Sequence, residues 1–392
     1  MKNSFRRNFR FGLGLLALIV GISLICTVGN NGFFRLGITE AKMATEPIVP
    51  EQGTVALDKD HPLIRSAIAV QYRHTPRLLA IPHVVGTAVG LNENGSPAIL
   101  VLAKDIVGRG VIPEDIEGMP VQVKLTGEIL ALQTCPPPTN LKNPRAKFTP
   151  PVPIGVSTGN VTAPLCDTGT ISARLTDGKN VYALSNNHVY ALENANNIIG
   201  TSVLQPGLVD AGCPSLNNGS PGNSIGTVYA YVPINFAGGN NTVDAAIAFS
   251  NTGQLCNSTP SNGYGVPSST TVSAGIYQSV QKYGRTTSLT KGTIYGINAT
   301  VTVNYGSSGN ATFVNQIIVF SFFRPFIQAG DSGSLLVTNN PSANPVGLVF
   351  AGNSSGTYAI ANPINQVLTS LGNTTRGAVI GTPVPNLKID GK

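Results

Sequence analysis

The sequence predicts an all-β protein that is exported from the cell. Only 11% of its 392 residues are charged, whereas 44 are glycine. Short β-branched runs alternate with turn clusters, as where the strand-like residues 301–305 precede Gly-Ser-Ser-Gly-Asn at 306–310. This alternation is typical of β-barrels and β-sandwiches and disfavours a helical bundle.

Residues 1–45 predict an export signal or an uncleaved membrane anchor. Four basic residues precede the uncharged stretch 11–28: Lys2, Arg6, Arg7 and Arg10. As a helix of ~1.5 Å rise per residue, that stretch would extend about 27 Å, close to the thickness of a bilayer core. No clear A-x-A cleavage site follows, so both alternatives stay open. We expect a secreted or cell-envelope protein.

Most of the net charge of +7 comes from the N-terminal segment. Residues 1–45 hold six basic residues and one acidic residue, contributing +5 and leaving about +2 for the rest. No stripe of Lys and Arg with interleaved aromatics remains, so we expect no nucleic-acid partner. No His/Cys cluster has the spacing of metal ligands, so we expect no metal site and no cofactor.

The cysteines of an exported chain predict disulfides. Beyond Cys26 in the leader, the sequence holds an even number: Cys135, Cys166, Cys213 and Cys256. Two disulfides are therefore expected, and the sequence allows all three connectivities.

Residues 46–134 predict a small α+β domain ahead of the main β-rich region. Residues 61–77 have the pattern of a basic helix, and three strand-like runs follow at 84–91, 98–103 and 121–125. The Pro-rich stretch 135–153 predicts a semi-rigid linker. At the other end of the chain, 362–371 predicts a helix closed by Gly372. The tail 373–392 is expected to pack against the second half of the β-rich region.

The β-rich region, 154–372, carries the candidate chemistry. Ser332 lies in the run Gly-Asp-Ser-Gly at 330–333, and His188 is the only histidine beyond residue 83. A serine hydroxyl is a poor nucleophile unless a base accepts its proton, and histidine is the usual base. If a histidine in this region activates Ser332, it is His188.

A histidine base needs a carboxylate to orient it and to stabilise the imidazolium. The acidic residues between base and nucleophile are Glu193, Asp210, Asp244 and Asp331. Glu193 follows the histidine too closely, Asp210 lies in a Pro/Gly-rich loop, and Asp331 is beside the nucleophile. Asp244 lies in the apolar β-prone run 242–248, where an unpaired carboxylate would be costly to bury. Asp244 is therefore the predicted orienting acid.

The order His, Asp, Ser disfavours other hydrolase classes. An α/β-hydrolase needs a histidine after the serine, and its nucleophile motif needs glycine where this chain has Ser334. A subtilisin-like order would need an aspartate before His188, which would leave Asp244 without a role. An aspartic peptidase with paired loops at 167–170 and 331–334 would leave the His188 segment unexplained.

Four motifs of this region resemble those of bacterial chymotrypsin-clan, trypsin-like serine peptidases of the α-lytic and streptogrisin-like type. They are Ser-Asn-Asn-His-Val at 185–189, Val-Asp-Ala-Ala-Ile-Ala at 243–248, Gly-Asp-Ser-Gly-Ser-Leu-Leu-Val at 330–337, and Gly-Arg-Thr-Thr-Ser at 284–288. The resemblance implies two six-stranded antiparallel β-barrels with the site in the cleft between them. It also implies hydrolysis of a polypeptide through an acyl-enzyme, with His188, Asp244 and Ser332 as the catalytic residues.

The resemblance implies further roles near the nucleophile. The backbone N–H groups of Gly330 and Ser332 would form the oxyanion hole, and an Arg285–Asp331 ion pair would hold its loop. Phe326 stands six residues before the nucleophile and predicts a preference for small or apolar side chains before the scissile bond. The candidate substrate-binding residues are Phe326, Ile327, Val349, Phe350, Ala351 and Gly352. Ser334, Val189 and Ser288 depart from the family pattern without removing a catalytic atom.

Two questions stay open at this level. Residues 46–134 are either a pro-region that assists folding or inhibits, as the resemblance suggests, or a targeting module, and this domain is expected to contact the peptidase region. The alternative to an active enzyme is a catalytically inactive relative that binds peptides or envelope components.

Overall fold

Closed rings of hydrogen-bonded strands shape the chain after residue 143. The computed structural model describes residues 57–107, 110–131, 143–163, 166–213 and 222–392. The predicted leader and Cys135 lie outside these described residues. Among the described helices, none is both long and apolar enough to traverse a bilayer.

The first barrel is built by residues 157–250. Its elements are β6 (Ser157–Asn160), β7 (Gly169–Thr170), β8 (Arg174–Thr176), β9 (Val181–Ser185), β10 (Ser202–Gln205), β11 (Asn223–Tyr231) and β13 (Ala246–Ser250), with the one-turn helix α2 (Asn187–Tyr190). β7 and β8 form one bent segment that pairs with β6 on one side and with β9 on the other. The ring then closes through β13, β11 and β10 back to β6.

Strand β9 of this barrel carries an unbroken apolar run because both of its faces are buried. Successive side chains of a strand point to opposite faces. Ala183 packs inside the barrel with Val156 and Ile171, whereas the adjacent Leu184 packs on the outer face with Leu175 and other apolar residues. Both faces are buried, so the sequence shows a hydrophobic run instead of a polar alternation.

The second barrel is built by residues 279–363. Its strands are β14 (Ser279–Gly284), β15 (Ser288–Asn304), β16 (Asn310–Phe320), β17 (Leu335–Thr338), β18 (Pro345–Asn353) and β19 (Tyr358–Pro363), and a short edge strand, β12 (Asn240–Asn241), joins β16. The ring runs β14, β15, β16, β19, β18, β17 and returns to β14. Two antiparallel six-stranded rings confirm the predicted fold class.

The N-terminal α+β part extends the sheet of the second barrel. It consists of α1 (Pro62–Leu79), β1 (Val84–Leu91), β2 (Pro97–Ala103), β3 (Asp115–Ile116), β4 (Met119–Leu125) and β5 (Ile129–Ala131). β1 pairs antiparallel with β15. A Cβ at Gly86 would lie 2.8 Å from the carbonyl oxygen of Thr300, so glycine permits this close approach. The expected contact between the two parts is thus a shared sheet.

The remaining strand of that part, β5, reaches farther into the second barrel. It pairs antiparallel with β18, where Ala131 lies opposite Ala351 and Leu130 opposite Gly352. It also pairs parallel with β15 at Asn304. Ile129 is fully buried with Phe350 in the cluster beneath the N-terminal sheet.

The described part of the predicted linker, residues 143–153, packs on the first barrel. Phe148 donates its N–H to Gln205, and Val152 is fully buried and forms a bridge with Leu255. The Pro-rich composition fitted a linker, but its apolar residues supply burial area.

The C-terminal residues pack on both barrels. The helix α3 (Ile364–Leu371) has the predicted extent within two residues. After it, β20 (Ile380–Gly381) pairs with β11, and β21 (Lys388–Ile389) pairs with β8. Ile389 and Leu371 share the cluster that covers the outer face of β9 and β13. The same cluster contains Leu335, Val337 and Leu348 of the second barrel, so the helix and the tail cover an apolar surface to which both barrels contribute.

One of the two expected disulfides is present among the described residues. Cys166 and Cys213 are bonded across a sequence separation of 47. Cys256 is a free, partly buried thiol.

Candidate active site

The candidate base and acid are brought together by the pairing of β9 with β13. Ala246 lies opposite Ser185 in this pair, so the residues just before β13 meet those just after β9. The Nδ1 atom of His188 lies 2.6 Å from Oδ2 of Asp244, and the backbone N–H of His188 donates to Oδ1 at 3.2 Å. Asn186 donates its side-chain N–H to the Asp244 carbonyl at 2.8 Å. The carboxylate thus holds both the ring and the backbone of the histidine.

Neighbouring carboxylates raise the pKa of His188 although its side chain is buried. Burial acts to lower the pKa of His188, but the charge and hydrogen bond of Asp244 raise it, and Glu193 and Asp167 add to the rise, so the pKa lies above its ordinary value. Burial raises the pKa of both Asp167 and Glu193. Nε2 of His188 is buried and has no hydrogen-bond partner among the described residues.

The candidate nucleophile lies on a turn that is attached to the first barrel. Gly330 and Gly333 have φ of 92° and 93°, which other residues rarely adopt. The N–H of Thr170 donates to the Ser332 carbonyl at 2.8 Å, and its hydroxyl donates to the Gly330 carbonyl at 2.8 Å. At Gly169, an added Cβ would lie 2.6 Å from Val189 and 2.9 Å from the Ser332 carbonyl oxygen. The segments that carry base and nucleophile therefore meet across β7.

The Ser332 side chain is in a closed arrangement. The residue is fully buried, and Oγ donates a long hydrogen bond of 3.4 Å to the carbonyl of Phe350. In the part of the chain that the structure describes, the N–H groups of Gly330 and Ser332 donate to no acceptor. Buried backbone N–H groups normally have a hydrogen-bond acceptor. Two nearby N–H groups without an acceptor are suited to bind an anion.

The predicted Arg285–Asp331 ion pair is wrong. Asp331 instead lies 3.6 Å from Nζ of Lys282, and both side chains are completely buried. Its carboxylate also accepts the N–H groups of Thr286 and Gln328 and the hydroxyl of Thr287. Burial lowers the pKa of Lys282, and the Asp331 charge opposes that change. A lysine on β14 therefore holds the turn that carries the nucleophile.

Arg285 has a different partner, in the first barrel. Its Nε donates to Oδ2 of Asp210 at 2.8 Å and its second terminal nitrogen to Oδ1 at 2.5 Å. Oδ2 also accepts the hydroxyl of Ser157 at 2.6 Å. The Pro/Gly-rich loop that disqualified Asp210 as the orienting acid places its carboxylate against this guanidinium.

The candidate substrate-binding residues lie together, but their side chains are not open. The fully buried ones are Phe326, Ile327, Val349, Phe350 and Ala351. Nζ of Lys282 lies 5.7 Å from the centre of the Phe326 ring. The backbone of Ala351 and Gly352 is covered by β5. The strand edge expected to bind substrate is thus paired with a segment of the same chain.

Sequence reasoning missed three polar residues that the structure brings to the site. Lys282 could have been noticed as a lone charge in a strand-like run before Arg285. Tyr305 donates to Asp244, and Asn362 accepts the Asp244 N–H at 3.1 Å. Neither has a local signal, because each lies more than 60 residues from its partner.

Comparisons with known proteins found matches among solved structures. No model of a protein family matches the sequence, and no curated protein matches it. Among solved structures, the chain is similar to Thermobifida fusca protease A at 18% identity and TM-score 0.40, covering 62% of this chain and 100% of that one. It is similar to Cellulomonas bogoriensis chymotrypsin at 19% identity and TM-score 0.37, covering 62% and 99%. A glutamic acid specific serine protease has 20% identity and TM-score 0.39, covering 61% and 100%.

The fold is a pair of closed six-stranded antiparallel barrels, as the motifs of the sequence predicted. Its two closed rings carry His188 and Asp244 on the first barrel and the Ser332 turn ahead of β17 on the second.

Proposed function

We propose that this protein is a serine endopeptidase. Ser332 Oγ bonds to the carbonyl carbon of a peptide while its proton passes to Nε2 of His188. The carbon–nitrogen bond then breaks, and the same proton moves to the leaving amine. Water repeats the sequence on the acyl-enzyme and releases the carboxylate product and the free serine. Asp244 holds the imidazole, and the N–H groups of Gly330 and Ser332 receive the oxyanion.

The His188–Asp244 pair is the observation that carries this proposal. A bond of 2.6 Å to a fully buried carboxylate fixes the ring so that Nδ1 carries the proton. Nε2 is then the basic atom, and it has no partner among the described residues. Rotation of the Ser332 side chain away from its long bond to Phe350 would supply one.

The N-terminal part, residues 46–134, is proposed to keep the enzyme latent. Peptide substrates bind such enzymes by adding an extended strand to a sheet edge. β5 supports the proposal because it already pairs antiparallel with β18 at Ala351 and Gly352. Ile129 anchors it by packing with Phe350. We infer that processing or displacement of this segment opens the site.

Specificity and location complete the proposal. Phe326 and Ile327 form an apolar wall near the nucleophile turn, which favours small or apolar side chains before the scissile bond. A substrate panel in which only Arg or Lys sites are cleaved would contradict this preference. The Cys166–Cys213 bond fits an oxidising, extracellular or envelope compartment, and N-terminal sequencing of the protein recovered from culture medium and membranes would test export and anchoring.

The direct test of the enzyme is covalent labelling with a fluorophosphonate serine probe. The full chain, before and after limited proteolysis of the N-terminal part, is compared with Ser332→Ala and His188→Ala. We expect both substitutions to abolish labelling. Ser250→Ala is the matched control, since the Ser250 side chain is buried and its hydroxyl donates to the Ile225 carbonyl, on β11 of the first barrel. Failure of the unmodified chain to label under either condition would favour an inactive relative.

Latency is tested separately with Ile129→Ala. Removing a buried isoleucine to its Cβ costs about 2 to 5 kcal/mol, so undocking of β5 should become at least about thirtyfold more frequent. We expect the full chain to label correspondingly faster. Ile116→Ala is the control, because Ile116 is buried in the same N-terminal part but away from β18. Equal labelling rates for the two variants would contradict inhibition by β5.

A further inference from the structure

A tyrosine hydroxyl lies against the candidate orienting acid. The Tyr305 hydroxyl donates to Oδ2 of Asp244 at 2.8 Å. That oxygen also lies 2.6 Å from Nδ1 of His188, and Oδ1 accepts a hydrogen bond from the backbone N–H of His188. Asp244 is fully buried and Tyr305 is 2% exposed, so the contact between them is shielded from bulk solvent.

The ring of Tyr305 is fixed before any substrate binds. Its centroid lies 5.5 Å from that of Phe236 at 82°, and 6.2 Å from that of Phe313. It also meets the His188 ring edge-on, with centroids 5.9 Å apart. The backbone N–H of Tyr305 donates to the Gly309 carbonyl at 2.9 Å, which sets the residue at the β15–β16 connection. The hydroxyl is therefore preorganised, and little entropy is lost in keeping its bond.

The bond joins the two barrels at the acid. Asp244 belongs to the first barrel, whereas Tyr305 follows β15 of the second. Asn362, at the end of β19, accepts the backbone N–H of Asp244 at 3.1 Å. A carboxylate from one barrel is thus held on its side chain and on its backbone by residues of the other.

We propose that Tyr305 is a positioning residue for the reaction, whose hydroxyl fixes the Asp244 carboxylate so that it in turn fixes His188. This inference rests on the proposed peptidase function. A buried carboxylate is costly unless its oxygens accept hydrogen bonds. With Tyr305 present, three donors share the charge, and the carboxylate cannot rotate away from Nδ1 without losing one of them.

Removing the Tyr305 hydroxyl should change the pKa of His188 in a predictable direction. The charged groups that act on His188 are Asp244, Glu193 and Asp167. In Tyr305→Phe, the Asp244 charge loses one donor and acts more strongly on the imidazolium, so the pKa of His188 should rise. A role in packing alone would leave it unchanged, since phenylalanine keeps the ring and its aromatic neighbours.

The test is a pH titration of His188 by NMR in the full chain. The sequence holds four histidines, so a His188→Ala spectrum assigns the signal. We expect the titration midpoint in Tyr305→Phe to move upward by about 0.5 to 1 pH unit, which corresponds to part of a hydrogen bond to a charged group. Tyr182→Phe is the matched control, because Tyr182 also donates to a carboxylate, that of Asp177, away from the site. It should leave the midpoint in place.

Probe labelling over the same pH range gives the kinetic counterpart. We expect Tyr305→Phe to label about three- to tenfold more slowly at neutral pH, with the acid limb displaced upward like the NMR midpoint. An unchanged NMR midpoint in a folded Tyr305→Phe protein would overturn the inference. Absence of labelling in the unmodified chain both before and after limited proteolysis of the N-terminal part would contradict the peptidase proposal, while the NMR comparison would still decide whether Tyr305 positions Asp244 and His188.

Discussion

The buried pair of Arg285 and Asp210 offers the sharpest test of the structure. Both oxygens of the carboxylate accept from the guanidinium, at 2.8 Å and 2.5 Å, and the side chains are 0% and 3% exposed. Asp210→Ala would leave the buried cation without its counter-charge. Breaking such a pair on one side costs about 3 to 5 kcal/mol. We expect that loss in the free energy of unfolding, measured as a lower urea midpoint at unchanged slope.

A double-mutant cycle separates this pair from the one implied by the family resemblance. Asp210→Ala leaves the Arg285 charge buried without a partner, and Arg285→Met removes that charge. The double variant should therefore recover most of the free energy of unfolding that Asp210→Ala loses. The parallel cycle of Arg285→Met with Asp331→Ala should show little coupling, because Asp331 pairs with Lys282. Glu117→Gln, at the exposed Arg73–Glu117 pair, serves as a control that should leave the midpoint unchanged. Strong coupling of Arg285 to Asp331 together with a neutral Asp210→Ala would refute the assignment.

Three further predictions concern the site and its support. Asp244→Asn should slow probe labelling by about 10⁴-fold, as expected when the base loses its orienting carboxylate; retention of normal labelling would exclude the proposed triad. In the unmodified protein, labelling requires neutral His188, whose pKa is raised, so the rate should fall as pH decreases through a midpoint above the ordinary value of 6.5; a midpoint below 6.5 would contradict the Asp244 contact. Replacing Cys166 and Cys213 by serine should lower the unfolding free energy by about 2 to 4 kcal/mol, given a closed loop of separation 47; an unchanged melting temperature would show that the bond does not form in solution.

Local patterns predicted the elements whose residues carry their own signal. The strand predicted at 84–91 is β1 without change, and the helix predicted at 61–77 begins at Pro62 and ends at Leu79. Both are amphipathic or fully buried segments bounded by turn residues, so the neighbours along the chain suffice. The contact of His188 with Asp244 was likewise predicted, because few histidines and acids competed for the roles.

Amino-acid composition alone did not predict how residues 143–153 and the C-terminal tail pack. The Pro-rich residues 143–153 resemble a linker, yet Val152 and Phe148 contribute to the first barrel. The tail after residue 372 has too little pattern to show that its strands pair with β11 and β8 of the first barrel, besides packing on the second. In both cases the apolar surface that binds the segment is formed by strands far away in the chain.

The sequence by itself determined the β-rich class, the segment of each candidate catalytic residue and their order along the chain. These follow from local periodicity and from the scarcity of histidine. Only the tertiary structure decided which buried charges pair, that Lys282 and not Arg285 holds Asp331, and that Tyr305 reaches Asp244. The physical reason is that a buried ion pair or hydrogen bond depends on side-chain direction and strand register between distant segments. Ring closure of the two barrels fixes these directions, and no local pattern encodes them.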